Sequence, residues 1–95
     1  MCIRDRHNTG HWLGLDVHDP SSYSINGKPI KLKPGMIFTV EPGIYINKET
    51  GIDKGFHNIG VRIEDDILIT DSGCEVLSRD VPKSVKDIEK LMSHA

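Results

Sequence analysis

Apolar and polar residues alternate along two central stretches of this chain, and the alternation predicts β-strands. Met36 to Glu41 alternates strictly, so that Thr39 and Glu41 share one face of the predicted strand. Ile59 to Thr70 is the second β-region, and its apolar Ile67-Leu68-Ile69 run predicts burial on both faces. The centre of the chain is therefore expected to form a sheet.

Turn-forming residues separate these regions from their neighbours. Trp12 to Val17 is expected to be extended, and the polar stretch from Asp19 to Pro29 is expected to be a loop. Lys33-Pro34-Gly35 has proline and glycine in the second and third positions of a tight turn. Asp71-Ser72-Gly73 predicts a hairpin turn, after which Cys74 to Leu77 can pair back on the preceding strand.

Near its end the chain changes from a strand period to a helix period. Ser84 and Asp87 have capping-box spacing, and Pro82 suits the first turn of the predicted helix. The apolar positions that follow lie on one helical face: Val85, Ile88, Leu91 and Met92. Strands followed by a single helix predict an α+β fold.

Composition and charge narrow the classes of protein to which this chain can belong. Its 95 residues are 37% hydrophobic and 27% charged, which is typical of a globular domain. A net charge of −2 argues against nucleic acid as a partner, and short apolar runs argue against a membrane. Cys2 and Cys74 form no disulfide framework, and residues 1–6 lack an apolar signal core. We therefore expect a cytoplasmic location.

Three histidines lie among apolar residues near the start of the chain. His7, His11 and His18 flank Trp12, and buried imidazoles need partners, which indicates a metal or a polar active site. On a strand, His7 and His11 would stand roughly 13 Å apart, so only one could bind a given ion. His18 can join the same site only if the chain bends around Asp16 to Asp19; otherwise it is a loop histidine bonded to these aspartates.

Two groups of acids are further candidates. Glu41 ends an apolar strand and is followed by Pro-Gly, so it is either solvent-exposed or part of a site. The Glu64-Asp65-Asp66 run is either a solvated turn or a source of one inward carboxylate that needs a cation. Arg62 and Glu64 share a face on a strand, whereas Asp65 points the other way. One histidine with two carboxylates suits manganese, iron, cobalt or zinc.

Three motifs in this order resemble the aminopeptidase P family of metallopeptidases, which is related to prolidase and methionine aminopeptidase. The motifs are HNTGHWLGLDVHD, LKPGMIFTVEPGIYI, and IGVRIEDDILIT followed by GCEVLS. The resemblance implies the C-terminal half of a pita-bread fold, a curved antiparallel sheet with a C-terminal helix. It also implies that the enzyme removes an N-terminal residue that precedes proline, from peptides with proline at the second position.

The resemblance assigns roles to individual residues. His11, Glu41 and Glu64 would be metal ligands for two divalent ions, manganese foremost, with zinc, cobalt or iron as alternatives. Glu41 would also act as general base or acid toward the attacking water. His18, helped by His7, would contact the substrate and stabilise the tetrahedral intermediate.

Arg62 would hold the acidic cluster in place. The family site also uses two aspartates from an earlier strand pair, which this chain would lack. Residues 7–95 are therefore expected to be the C-terminal part of a catalytic domain that is inactive alone, from a homo-oligomeric parent. Residues 1–6 are expected to be a non-native leader. The alternatives are a prolidase-type Xaa-Pro dipeptidase and a metal-free pita-bread module that binds proteins.

Overall fold

Antiparallel strands followed by one helix make up the computed structural model, which describes residues 8–49 and 51–94. This arrangement confirms the predicted α+β class. The strands are β1 (Ser24–Ile25), β2 (Lys28–Pro29), β3 (Ile37–Val40), β4 (Gly43–Ile46), β5 (Ile59–Arg62), β6 (Asp65–Thr70) and β7 (Gly73–Val76), and the helix is α1 (Val85–Met92). A short 3-10 helix, Lys54–Phe56, interrupts the polar loop between β4 and β5.

Two long antiparallel segments form a bent ribbon at the centre of the fold. β3 pairs with β6 and β4 pairs with β5, and the register is the same on both sides of the bend, from Val40 opposite Asp65 to Gly43 opposite Arg62. The ladder is interrupted at Pro42, which has no N–H to donate. The expected β-region from Ile59 to Thr70 is therefore two strands, because strand pairing is interrupted at Ile63 and Glu64.

The segment from Thr9 to Leu13 extends the sheet along the free edge of β3. Backbone bonds join Leu13 N to Ile37 O at 3.1 Å, Thr39 N to His11 O at 2.8 Å, and Glu41 N to Thr9 O at 2.8 Å. The prediction of an extended segment as far as Val17 was wrong beyond Leu13. Residues 14–18 form a bend, which a bond from Asp19 N to Trp12 O closes at 3.1 Å.

Glycine at positive φ shapes two of the turns. Gly35 has φ 89° in the predicted Lys33-Pro34-Gly35 turn, where Met36 N donates to Lys33 O at 3.2 Å. Asn26 and Gly27 have φ 52° and 74°, which suits a two-residue hairpin turn, so β1 and β2 pair where only a loop was expected. The predicted hairpin turn before Gly73 is confirmed by the pairing of Thr70 with Gly73.

The C-terminal helix begins at its predicted cap. Ser84 Oγ accepts from Asp87 N at 3.1 Å and donates to the Asp87 carboxylate at 2.6 Å. In a standard capping box the acid would instead bind the backbone N–H of the cap residue. Pro82 precedes the cap, so its placement in the first helical turn was wrong.

Burial is concentrated on the polar face of β3. Thr39 is 2% exposed and Glu41 is 6% exposed, whereas no apolar residue of the described chain is fully buried. The expected burial of Ile67-Leu68-Ile69 on both faces was wrong, because these residues are only partly covered. None of the helices in the described ranges is long and apolar enough to cross a membrane.

Candidate metal centre

Three side chains of ligand type converge where the bent ribbon meets the N-terminal segment. His11 Nε2 lies 3.8 Å from Glu41 Oε1 and 4.0 Å from Glu64 Oε1. One ligand atom from each residue lies within 4.8 Å of those of the other two. The structure therefore brings together the three residues that the sequence singled out as candidate ligands.

Strand register explains why the two glutamates meet. Val40 lies opposite Asp65, and Gly43 lies opposite Arg62, so the same register places Glu41 opposite Glu64 at the interruption of the ladder. Like charges at directly opposed positions destabilise an antiparallel pair. A cation between the two carboxylates would reverse the sign of this contribution.

Glu41 is held in a protected position, so the solvent-exposed alternative was wrong. Its side chain is 8% exposed, and Arg62 Nη1 donates to its Oε2 at 3.4 Å. An unpaired buried carboxylate costs several kcal/mol. Arg62 supplies one positive charge, and its place beside Glu41 agrees with the face that strand parity predicted.

His11 is oriented by its own backbone neighbours. Its Nδ1 lies 3.0 Å from Trp12 O, and because a carbonyl oxygen can only accept, Nδ1 carries the proton. Nε2 is therefore the ring nitrogen that is left to bind a ligand, and it faces Glu41 and Glu64. Thr39 fixes the backbone of His11, because its Oγ1 accepts from His11 N at 3.0 Å.

These contacts leave three acceptors facing one another. The imidazole Nε2, a Glu41 oxygen and a Glu64 oxygen point at the same space. A cation bound between them would accept a lone pair from each. An imidazole with two carboxylates is a borderline-to-hard donor set, so the residues present fit a divalent transition metal.

His18 reaches the cluster because residues 14–18 bend. Its ring lies edge-on to that of His11, with 4.5 Å between the centroids and 72° between the planes. The carboxylate of Asp19 accepts from Ser21 Oγ at 2.9 Å. The bend that the sequence required for His18 is therefore present. His7 lies outside the described residues.

The acid that directly follows Glu64 is turned away from the cluster. The Asp65 carboxylate accepts from Ser78 Oγ at 2.6 Å and from Lys83 Nζ at 2.9 Å. These two hydrogen bonds, that of Ser78 first, hold the pKa of Asp65 below its usual value. The solvated-turn alternative for the whole run was wrong, since Glu64 faces His11 and Asp65 is bound by Ser78 and Lys83.

Sequence reasoning missed two supporting residues beside His11. Thr39 is the most buried polar residue within ranges 8–49 and 51–94, and the sequence signal for it was the strand face that it shares with Glu41. Gly10 left no local signal, yet a Cβ at this position would lie 2.2 Å from Thr39 O. The close approach of the two strands therefore requires glycine next to the histidine.

Comparison with known proteins places this site in a family. Residues 3–71 match the model of metallopeptidase family M24. A Xaa-Pro aminopeptidase of Haemophilus influenzae is 51% identical over 87 residues, and one of Escherichia coli is 49% identical over 86 residues. These matches cover 92% and 90% of this chain, but only 20% and 19% of the relatives.

A solved structure agrees with the sequence matches. The aminopeptidase PepP of Pseudomonas aeruginosa superposes with a TM-score of 0.85 at 54% identity, over 93% of this chain and 20% of that one. The fold is therefore that of the pita-bread aminopeptidases, as predicted, and the chain spans about a fifth of the length of these relatives. The matched residues include the three converging side chains, and the chain belongs to metallopeptidase family M24.

Proposed function

We propose that this chain forms the C-terminal part of the catalytic domain of a metalloaminopeptidase that removes an N-terminal residue preceding proline. The observation that carries the proposal is the convergence of His11, Glu41 and Glu64 within 4.8 Å. Family membership supplies the peptidase class, and the relatives, which are Xaa-Pro aminopeptidases, supply the proline preference. The catalytic part is proposed to comprise residues 7–95.

Divalent metal ions accompany the family, and His11, Glu41 and Glu64 are the proposed ligands in this chain. We propose two ions, as the family resemblance implies. Manganese is foremost because the cluster found among the described residues has no thiolate to select zinc, and carboxylates suit harder ions. When bound, such ions lower the pKa of a water and polarise the scissile carbonyl. Further ligands would come from outside this chain.

Protein groups carry the remaining proposed steps. Glu41 takes a proton from the attacking water and returns one to the leaving amine, and Arg62 holds its carboxylate through Oε2 at 3.4 Å. His18, whose ring touches that of His11, contacts the substrate carbonyl and stabilises the tetrahedral intermediate. His7 is proposed to assist His18.

A chimera would test this proposal. Residues 8–94 would replace the corresponding segment of the Escherichia coli Xaa-Pro aminopeptidase, which is 49% identical over the matched region. We expect manganese-dependent release of the first residue from a Xaa-Pro-Xaa tripeptide, loss of activity with a chelator, and recovery when manganese is restored.

The matched pair Glu41→Gln and Glu89→Gln then isolates the role of the buried carboxylate. Glu41→Gln should lower kcat by at least about a hundredfold, because general acid–base catalysis contributes roughly 10²–10⁴-fold. Glu89→Gln, an equal change on the exposed helix α1, should leave kcat unaltered. Undiminished turnover by Glu41→Gln would refute the role of Glu41.

The same chimera separates the neighbouring functions. Hydrolysis of a Xaa-Pro dipeptide alone would favour a prolidase-type dipeptidase. A folded chimera that neither binds manganese nor cleaves either peptide would favour a metal-free binding module. The presence of all three ligand-type side chains in contact range speaks against that last alternative.

A further inference from the structure

We infer that Ser78 and Lys83 are positioning residues that hold Glu64 in the metal centre by binding the side chain of its neighbour, Asp65, and the backbone N–H of Asp66. The inference rests on the proposed function, because it takes Glu64 as a ligand. Both residues lie in the segment between β7 and α1, outside the catalytic machinery described above. This segment would therefore support the metal centre from a distance.

The clamp consists of Lys83 and Ser78, which both bind the Asp65 carboxylate, and Lys83 makes the larger number of its contacts. Its Nζ donates to the Asp65 carboxylate at 2.9 Å, to Ser78 O at 2.9 Å and to Val81 O at 3.1 Å. The ammonium group has three donors, and these three acceptors use all of them. The side chain is 27% exposed, which protects the ion pair from much of the screening that weakens surface pairs. Lys83 thus ties the segment before α1 to the start of β6.

Ser78 completes the clamp from the other side. Its Oγ donates to the Asp65 carboxylate at 2.6 Å and accepts from the backbone N of Asp66 at 3.0 Å. Leu77 N donates to Asp66 O at 2.8 Å, which extends the β6–β7 ladder by one step. One hydroxyl therefore binds both the side chain of Asp65 and the backbone of the next residue.

Glu64 needs such support more than Glu41 does. It lies in the gap between β5 and β6, its side chain is 42% exposed, and strand pairing begins only at Asp65. Glu41, in contrast, is 8% exposed and is held by Arg62 and by a backbone bond to Thr9. Fixing Asp65 limits changes in the backbone φ and ψ angles that place the Glu64 carboxylate.

The chain contains a matched control for the Lys83 pair. Arg79 Nη2 binds Glu75 Oε1 at 2.9 Å, the same separation as in the Lys83–Asp65 pair. Glu75 lies on β7 and Arg79 in the segment after it, and this ion pair involves no candidate ligand. Lys83→Met and Arg79→Met each remove one cation of an ion pair. Only the first should disturb Glu64.

The experiment measures manganese affinity of the metal-free chimera by competition with a fluorescent chelator. We expect Lys83→Met and Ser78→Ala each to weaken manganese binding by about tenfold, the lower end of the range for groups that orient ligands. Lys83→Arg and Ser78→Thr should recover part of the affinity, and Arg79→Met should stay within about twofold of the parent. At saturating manganese, kcat should return toward the parent value with KM unchanged.

Two further results distinguish the possible failures. Equal manganese affinity in Lys83→Met, Arg79→Met and the parent would overturn the clamp, even if the melting temperature fell, because the residues would then be merely structural. An unmutated chimera without manganese-dependent cleavage would instead overturn the proposed function. Should Lys83→Met fail to fold, Ser78→Ala and Ser78→Thr give the same comparison through the hydroxyl.

Discussion

Replacement of Gly10 by alanine should damage the metal centre without touching a ligand. A Cβ at this position would lie 2.2 Å from Thr39 O, a distance that real Cβ atoms do not adopt. The contacted atom belongs to the backbone of β3 and cannot rotate away. The two strands must therefore separate by about 0.8 Å or more to restore a contact of 3.0 Å.

This displacement acts directly on His11. The residue follows Gly10 and is bonded to Thr39 through its backbone N and O, at 3.0 and 2.8 Å. A misplacement of about 1 Å can cost roughly 10²-fold in rate, so we expect Gly10→Ala to lower kcat/KM of the chimera by about a hundredfold. The affinity for manganese should fall with it.

Gly14→Ala is the matched control, because it creates an equally short contact with a different kind of atom. Its Cβ would lie 2.2 Å from Asp19 Oδ2, at the end of a side chain that can rotate. Neither glycine has positive φ, so both alanines have an accessible backbone conformation. Steady-state kinetics should show a much smaller loss for Gly14→Ala. Equal losses in the two variants, or none in Gly10→Ala, would refute the reasoning.

Two further predictions concern stability. Ser84→Ala should lower the free energy of unfolding by about 1 kcal/mol, because it removes the cap that accepts from Asp87 N, while kcat stays unchanged. Asp65 has a lowered pKa, so its stabilising contribution is present above pH 3.8 and is lost as the pH falls through its folded value. Ser78→Ala removes the largest cause of that shift, and its destabilisation in thermal melts should be full at neutral pH and shrink in acid.

The local pattern of apolar, polar and turn-forming residues correctly predicted several secondary-structure elements. Strict alternation predicted β3 and the face that Thr39 and Glu41 share, and proline with glycine predicted the turn before it. Ser84 marked the start of α1. These features depend on residues close together in sequence, where side-chain period and turn chemistry act without help from the rest of the chain.

Long-range pairing decided what the pattern left open. Strand pairing is interrupted between β5 and β6 because the opposing segment contains Pro42, which has no backbone N–H to donate. The burial of Ile67-Leu68-Ile69 depends on what covers the sheet, and a run of apolar residues carries no information about that. Asn26-Gly27 is typical of a two-residue hairpin turn, but this stretch was predicted only as a loop.

The sequence alone determined the donor types of the site and, through its motifs, the resemblance to a metallopeptidase family. Only the tertiary structure decided that Glu41 is buried, that the chain bends to bring His18 to His11, and that the Glu64 carboxylate lies within reach of His11 and Glu41. The physical reason is that a single strand specifies faces and spacing. The register between strands specifies which of those faces meet, and therefore which acceptors are left to share a cation.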